Sequence, residues 1–460
     1  MTTYLLIILV FLIGLFCANF ARIVLKTRTM LWFFILLETK KLTRTIDQLS
    51  KKYEKQLTWL SNFGIIAGFG PFGIDYLIKE KASKLKRVFV FIISLVIFSV
   101  LSYYLAGGLF FKNPLIPTFI SYFIIGLTGI MGLSGFILGS LIFSAYDIIA
   151  KMFVGKVACP GVGLVIPGVK IPKSNFFIPW YGWIILIIAA FIHEFCHGIM
   201  LRVAKVKLKS VGVILFGILP LGAFVEPDEE QLKKIDKRKV TKMYAAGPAS
   251  NLFLAVVFGL ILLMITSPIS RYTTSIDNQR EIGLVVNNTT PTAEICGSTF
   301  ENPAYGKLVK NDKILSVNNK TIKTQNDLRR AVKNDYDNIF VVQNLDTNLI
   351  RTEYIRTNEL GNIGISADIK IDESVPLPKK YTSYKLISQV LLWFVLLNFI
   401  IATTNFLPTV PFDGGHMAQN IYSGYLNKKH DEEKRKKMVQ RFFGYMILLL
   451  LILNIIPYFL

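Results

Sequence analysis

Long uncharged apolar runs alternate along the chain with stretches in which the charges are gathered. Crossing about 30 Å of hydrocarbon takes roughly 20 helical residues. Six runs come close to or exceed that length: Tyr4 to Phe20, Val88 to Phe111, Trp180 to Leu201, Tyr244 to Thr266, Tyr384 to Phe406 and Phe442 to Leu460. The first has no basic segment before it and is followed by one from Arg22 onward, so it reads as a retained anchor and not as a cleaved leader. Pro117 to Ala150 is too long for one crossing and short for two, since a helix of that length measures about 51 Å. Its glycines at 126, 129, 132, 135 and 139 permit a hairpin or a tight helix contact. Leu57 to Ile78, weakly apolar and carrying Asp75 and several glycines, fits a re-entrant, interfacial or buried segment.

Of the 460 residues 52% are hydrophobic and 18% charged, and the mean hydropathy is +0.48, which excludes an ordinary soluble domain. The expected fold class is a polytopic α-helical membrane protein. A net charge of +22 would suit nucleic acid, but in a membrane chain excess Lys and Arg belongs to cytosolic loops facing lipid headgroups, so the partners expected are membrane lipids and not nucleic acid. Arg22 to Arg87, Arg202 to Lys242 (10 Lys/Arg against 5 Asp/Glu) and the run from Asn427 are basic and should be cytosolic. Pro268 to Lys380 is balanced, 15 against 14, carries N-x-T sequons at Asn287, Asn288 and Asn319, and should be outside. The four spans after Ser174 then alternate, and the count back to the N-terminus closes only if Pro117 to Ala150 turns back on itself. Cys17, Cys159, Cys196 and Cys296 lie far apart and suggest no disulfide framework, which leaves the redox compartment open.

The chemistry begins inside the span at Trp180, with HEFCH at positions 193 to 197. Residues four apart share a helix face, so His193 and His197 can offer two imidazoles to one metal while Glu194 turns toward water beside it. Ionisable groups in the middle of an apolar span are costly and point to function, the bland alternative being two buried structural histidines. A catalytic zinc takes three protein ligands, so a third is required from elsewhere. NFLPTVPFDGGH, Asn405 to His416, is the best source: its prolines break a helix at membrane depth and Asp413 projects from the irregular segment, with His416 as the rival ligand and a helix cap as the bland reading of Asp413.

These pieces, in this order, resemble the site-2 proteases, zinc metalloproteases that cut within the membrane. HEFCH resembles the family's HExxH, Asn405 to Gly414 its aspartate motif, and GPASN at Gly247 to Asn251 its G-P-x-x-N; PGVKIP at Pro167 and PLGAFVEP at Pro220 are similar to the archaeal and eukaryotic branch. Two departures remove no ligand: Cys196 replaces the commoner glycine, and Pro411 stands one place late. The resemblance implies a Zn2+ held by His193, His197 and Asp413, with Glu194 as general base and then proton donor to the leaving amine. Asn251 and Asn405 would bind the unwound substrate backbone, or else bond helix to helix. Ligands so placed on inward-running spans would meet toward the cytosolic side. The substrates implied are single-pass membrane proteins already trimmed outside. The alternative from another class is a non-proteolytic zinc-binding transporter or a substrate-presenting scaffold, against which an intact Glu194 argues, since a carrier needs no base.

Ser210 to Val225, broken by Gly212, Gly217, Pro220 and Gly222, fits a pair of membrane-associated strands better than a helix. In the external segment, β-rich runs around an Asn318-Asn319 turn and a helix from Asn326 suggest an α+β module, and Gly306, Leu308, Asp312, Ile314 and Val317 resemble the PDZ pattern. The expected division is an N-terminal membrane region (1–150), a catalytic membrane core with HExxH (151–267), a PDZ-like extracytoplasmic domain (268–380), and a membrane core with the third ligand and the last span (381–460).

Overall fold

The computed structural model describes residues 12–16, 19, 20, 23, 28–30, 34–110, 118–163, 166–170, 177–216, 219–296, 298–427 and 429–459. The expected anchor at Tyr4 to Phe20 lies largely outside these residues, as does the end of the motif at Pro167 to Pro172. Among the described residues seven helices are long and apolar enough to cross a membrane, and they mark the chain as a multi-pass membrane protein. In chain order the helices are α1 (Lys41–Lys52), α2 (Glu54–Ile78), α3 (Lys84–Phe110), α4 (Thr118–Phe153), α5 (Gly182–Val203), α6 (Glu229–Lys234), α7 (Lys237–Arg280), α8 (Gln325–Ala331), α9 (Lys379–Asn405), α10 (Asp413–Tyr422) and α11 (Glu432–Ile455).

Two of the seven do not run straight. Gly70 in α2 (φ 53°, ψ −134°) and Gly132 in α4 (φ 60°, ψ −141°) leave the helical region for a conformation that side chains avoid. A Cβ on Gly73 would lie 2.2 Å from the carbonyl oxygen of Ile65, and one on Gly135 would lie 2.3 Å from that of Leu127, in each case eight residues back. Eight residues of straight helix span about 12 Å, so the chain doubles back at both glycines. The two segments share the spacing G-x5-G-x2-G, at Gly64, Gly70 and Gly73 and at Gly126, Gly132 and Gly135. They also meet at their bends, because a Cβ on Gly132 would lie 2.4 Å from the Ala67 carbonyl oxygen and 2.7 Å from the Gly70 nitrogen. The described part of that segment, Thr118 to Ala150, is therefore a hairpin and makes a tight contact, and Leu57 to Ile78 is a helical reversal packed against it.

Between hydrocarbon-facing helices the hydrophobic effect gives no preference for protein over lipid, so close packing and polar pairs must hold the bundle. The bends meet above a core in which Phe69, Met131, Phe406, Met417 and Ile447 bring α2, α4, α10, α11 and the end of α9 together. Asp75 accepts two hydrogen bonds from Arg87, at 2.7 and 2.6 Å, and a third from Tyr425, which satisfies a buried carboxylate.

The expected strand pair forms as β3 (Leu208–Phe216) and β4 (Leu219–Pro227), antiparallel. The sheet also takes β1 (Arg28–Met30) and β2 (Phe34–Thr39), in the order β1-β2-β3-β4, which the sequence did not suggest. Val225 of β4 packs against Cys196, Met200 and Met243, which seats the sheet on α5.

Pro268 does not end α7, which continues without a break to Arg280 and passes directly into β5 (Glu281–Asn288). The following unit pairs β8 (Asp312–Val317), β9 (Lys320–Thr321), β10 (Asp337–Asn344), β11 (Ile350–Arg356) and β12 (Ser366–Ile371) with β5 in the order β11-β10-β8-β5-β12, β9 lying on β8. Asn318 and Asn319, at φ 51° and 63°, make the turn into β9. Leu308, Ile314, Val317, Phe340 and Ile355 are fully buried in its core. A separate hairpin of β6 (Thr292–Ile295) and β7 (Ser298–Glu301) carries Cys296 between its strands, and Cys296 is disulfide-bonded to Cys159, with their Cα atoms 5.2 Å apart. The sequence suggested no disulfide framework, and the partners are 137 residues apart, a separation that spacing rules do not reach. Cys196 is free and buried, as expected of a packing residue.

The bend contact makes a steric prediction. Gly132→Ala should destabilise the protein by about 1–3 kcal/mol, whereas Gly126→Ala, which meets nothing within 4 Å, should be neutral or mildly stabilising; melting temperatures in detergent distinguish them. The strand-rich unit makes another. Burial raises the Asp312 carboxyl, but the Arg351 guanidinium, the Val309 N–H and the Asn344 amide outweigh it and hold Asp312 below the usual carboxylate range. A depressed folded value means stability that is complete above the unfolded value near about 4 and is lost as pH falls toward the folded one. Thermal unfolding between pH 3 and pH 7 should show that loss, and Asp312→Asn should already be less stable at pH 7 with a flatter acid dependence.

Candidate metal centre

α5 carries HEFCH through the bundle, and the i, i+4 spacing places His193 and His197 on one face with their rings 4.8 Å apart and 76° to one another. α9 stops at Asn405, the proline-containing turn 406–412 follows, and α10 opens on Asp413, so the break predicted from the prolines delivers this carboxylate into the bundle. Asp413 Oδ2 lies 3.0 Å from His193 Nε2 and 3.1 Å from His197 Nε2. Potential ligand atoms of the three residues all fall within 4.8 Å of one another.

The other ring nitrogens are occupied. His193 Nδ1 lies 2.6 Å from Asn251 Oδ1, and His197 Nδ1 lies 2.7 Å from the Met243 carbonyl oxygen. Asn251 donates through Nδ2 to the Ala189 carbonyl at 3.1 Å and to Asn398 Oδ1 at 2.9 Å, which makes its Oδ1 the acceptor toward His193. Both histidines then donate through Nδ1 and present bare Nε2 lone pairs to Asp413. With both rings neutral, two lone pairs and a carboxylate oxygen at these distances call for a positive charge among them, which a metal ion or a proton on one imidazole supplies. Two imidazole nitrogens and one carboxylate oxygen are also a donor set that zinc accepts, so the residues present fit that metal.

Backbone approach from α7 completes the geometry. A Cβ on Gly247 would lie 2.3 Å from His197 Nε2 and 2.6 Å from His193 Nε2, so only glycine leaves the imidazoles where they are. Gly247 is ten residues, about 15 Å, from the start of α7.

Glu194 follows His193 on α5 and is half-buried. Asn251 is fully buried and its contacts lie inside the protein, on α5 and α9, so the helix-bonding alternative describes its geometry. Asn405 is half-buried and donates to the Ile401 carbonyl of its own helix at 3.0 Å. His416, the rival ligand, stacks on Tyr244 with ring centroids 4.3 Å apart and is not among the three grouped residues. Gly247, Met243 and Asn398 had no assigned part in the sequence reading, although the first lies in the GPASN motif.

A bundle of membrane-length helices that brings an HExxH pair onto an aspartate from a second helix has the architecture of a membrane metallopeptidase. The model of peptidase family M50 matches residues 181–453, more than half of the chain. The chain belongs to peptidase family M50, the site-2 protease family, whose members are zinc metalloproteases. An uncharacterized protein of Methanocaldococcus jannaschii is 30% identical over 242 residues, which cover 52% of this chain and 57% of that protein. The match thus spans little more than half the length of the curated relative.

The tight approach of α7 is testable in this site alone. Gly247→Ala should weaken binding of a divalent metal by about tenfold or more while leaving helix content unchanged, as read by chelator competition and circular dichroism.

Proposed function

We propose that the chain is an intramembrane zinc endopeptidase that cuts single-pass membrane proteins within or near the bilayer, after an earlier cut has shortened their outer part. The convergence of His193, His197 and Asp413 beside Glu194 carries this reading. In it the three grouped residues hold the metal, which when bound polarises the scissile carbonyl and lowers the pKa of water to about 7. Glu194 takes the proton from the attacking water and passes it to the leaving nitrogen as the C–N bond breaks. Asn251 and the Met243 carbonyl keep the imidazoles in the ligating tautomer, and Asn405 is the asparagine left to meet the substrate backbone.

An unwound substrate segment would add as a strand to the four-stranded sheet seated on α5. We read 151–267 and 381–460 as the catalytic core and 268–380 as a PDZ-like filter. The Asn311-Asp312 pair supports that likeness, because Asn311 stands at φ 68°, where the usual glycine would be expected. In sidedness we place the centre toward the cytosol. The basic stretches around Lys79, Lys234 and Arg435 line one end of the bundle, and the centre lies about 15 Å in from there along α7. The Cys159–Cys296 disulfide supports an oxidising compartment for the other end.

The deciding measurement is zinc per chain together with cleavage of a single-pass substrate. About one zinc is expected for the unmodified protein and for Glu194→Gln, with strong loss in His193→Ala and Asp413→Ala. Glu194→Gln should slow cleavage about 100-fold or more. Normal metal affinity in Asp413→Ala would remove it as a ligand, and undiminished cleavage by Glu194→Gln would remove the mechanism and leave the carrier or scaffold reading.

A further inference from the structure

At the Lys237 end of α7, away from the strand-rich unit, a cavity of about 970 Å³ opens among helix ends. Its wall carries Lys79, Arg87, Lys234, Lys237, Arg238 and Arg435, against three carboxylates. The helices α3, α7 and α11 all begin there, their N-termini capped by Ser83, Asp236 and Asp431.

Half of the cations are already neutralised. Arg87 pairs with Asp75 at 2.6 Å, Arg238 with Glu80 at 3.0 Å, and Lys237 with Glu432. Among the described residues no carboxylate forms an ion pair with Lys79, Lys234 or Arg435. The Nε of Arg435 is moreover buried without a hydrogen-bond partner. A charged donor withdrawn from water and left unpaired is costly, and the same guanidinium group belongs to a residue that lines the cavity.

We propose that this cavity binds a phosphate-bearing anion. A guanidinium fork and two ammonium groups that lack carboxylate partners match an oxygen-rich group carrying more than one negative charge. Each of the three helices beginning here is a candidate membrane span, so the cavity stands at the level where headgroups lie. The headgroup of an acidic phospholipid and a soluble phosphoanion offer the same chemistry. The site is separate from the metal centre, but Tyr76 and Asn420 of its wall both bond Thr241 on α7, the helix that carries Gly247.

The test uses the full chain with two probes. Phosphatidylglycerol is added to phosphatidylcholine nanodiscs, with lipid adducts counted by native mass spectrometry, and inorganic pyrophosphate is titrated against the melting temperature in detergent. We expect saturable binding of at least one probe, weakened about tenfold by Arg435→Gln and by the double variant Lys79→Gln/Lys234→Gln. Response to phosphatidylglycerol alone assigns the lipid headgroup, and response to pyrophosphate assigns a soluble anion. Lys79 and Lys234 are exposed, so the double variant decides the matter if Arg435→Gln fails to fold. The proposal is overturned if neither probe binds saturably, or if the folded variants bind as tightly as the unmodified chain. Neither readout depends on zinc or proteolysis, so this result stands apart from that of the catalytic reading.

Discussion

Inside an apolar bundle, two imidazole nitrogens each lie about 3 Å from one carboxylate oxygen, with their opposite ring nitrogens already committed to Asn251 and to the Met243 carbonyl. Such a set is stable only around a positive charge, and three helices are shaped to produce it. α5 supplies the histidines at one-turn spacing, α7 comes close enough through Gly247 to fix the ring planes, and the break after α9 delivers Asp413. Asn251 ties the same three parts together from behind, bonding His193, the α5 backbone and Asn398 in one buried network. The electrostatic demand and the packing are therefore one constraint: loosening α7 against α5 would spoil both.

The paired reversals at Gly70 and Gly132 explain how the bundle is braced without a hydrophobic drive between helices. Each reversal exposes backbone groups that lipid could not satisfy, and each hides them against the other. Their shared glycine spacing makes them two copies of one structural device, applied to segments of different length. The shorter also contributes Phe69 to the core, packed with Phe406 and Met417.

Much of this was legible in the chain, for definable reasons. The HEFCH spacing is a local rule of helix geometry, and the proline-rich break before Asp413 is a local rule of backbone chemistry, so both could be read without coordinates. The Asn318-Asn319 turn and the buried Leu308, Ile314 and Val317 followed from patterns a few residues long. Features set by contact between distant segments were not legible. The role of Gly247 depends on how close α7 comes to α5, β2 is recognised only by its pairing with β3, and Cys159 finds Cys296 across 137 residues. Pro268 stands inside α7, which loses one backbone bond there and continues to Arg280.

The disulfide has a topological consequence. The covalent path from Cys159 to Cys296 and back across the sulfur bridge encloses α5, β3, β4 and the whole of α7, and with them both histidines, Glu194, Gly247 and Asn251. Asp413 alone of the three grouped residues lies outside the ring. The ring cannot close until residue 296 has emerged beside residue 159, by which time α7 is already threaded. Once closed, the histidine half of the centre is a loop that a single backbone nick between the two cysteines could not separate into two molecules, and the aspartate half reaches it from outside that loop.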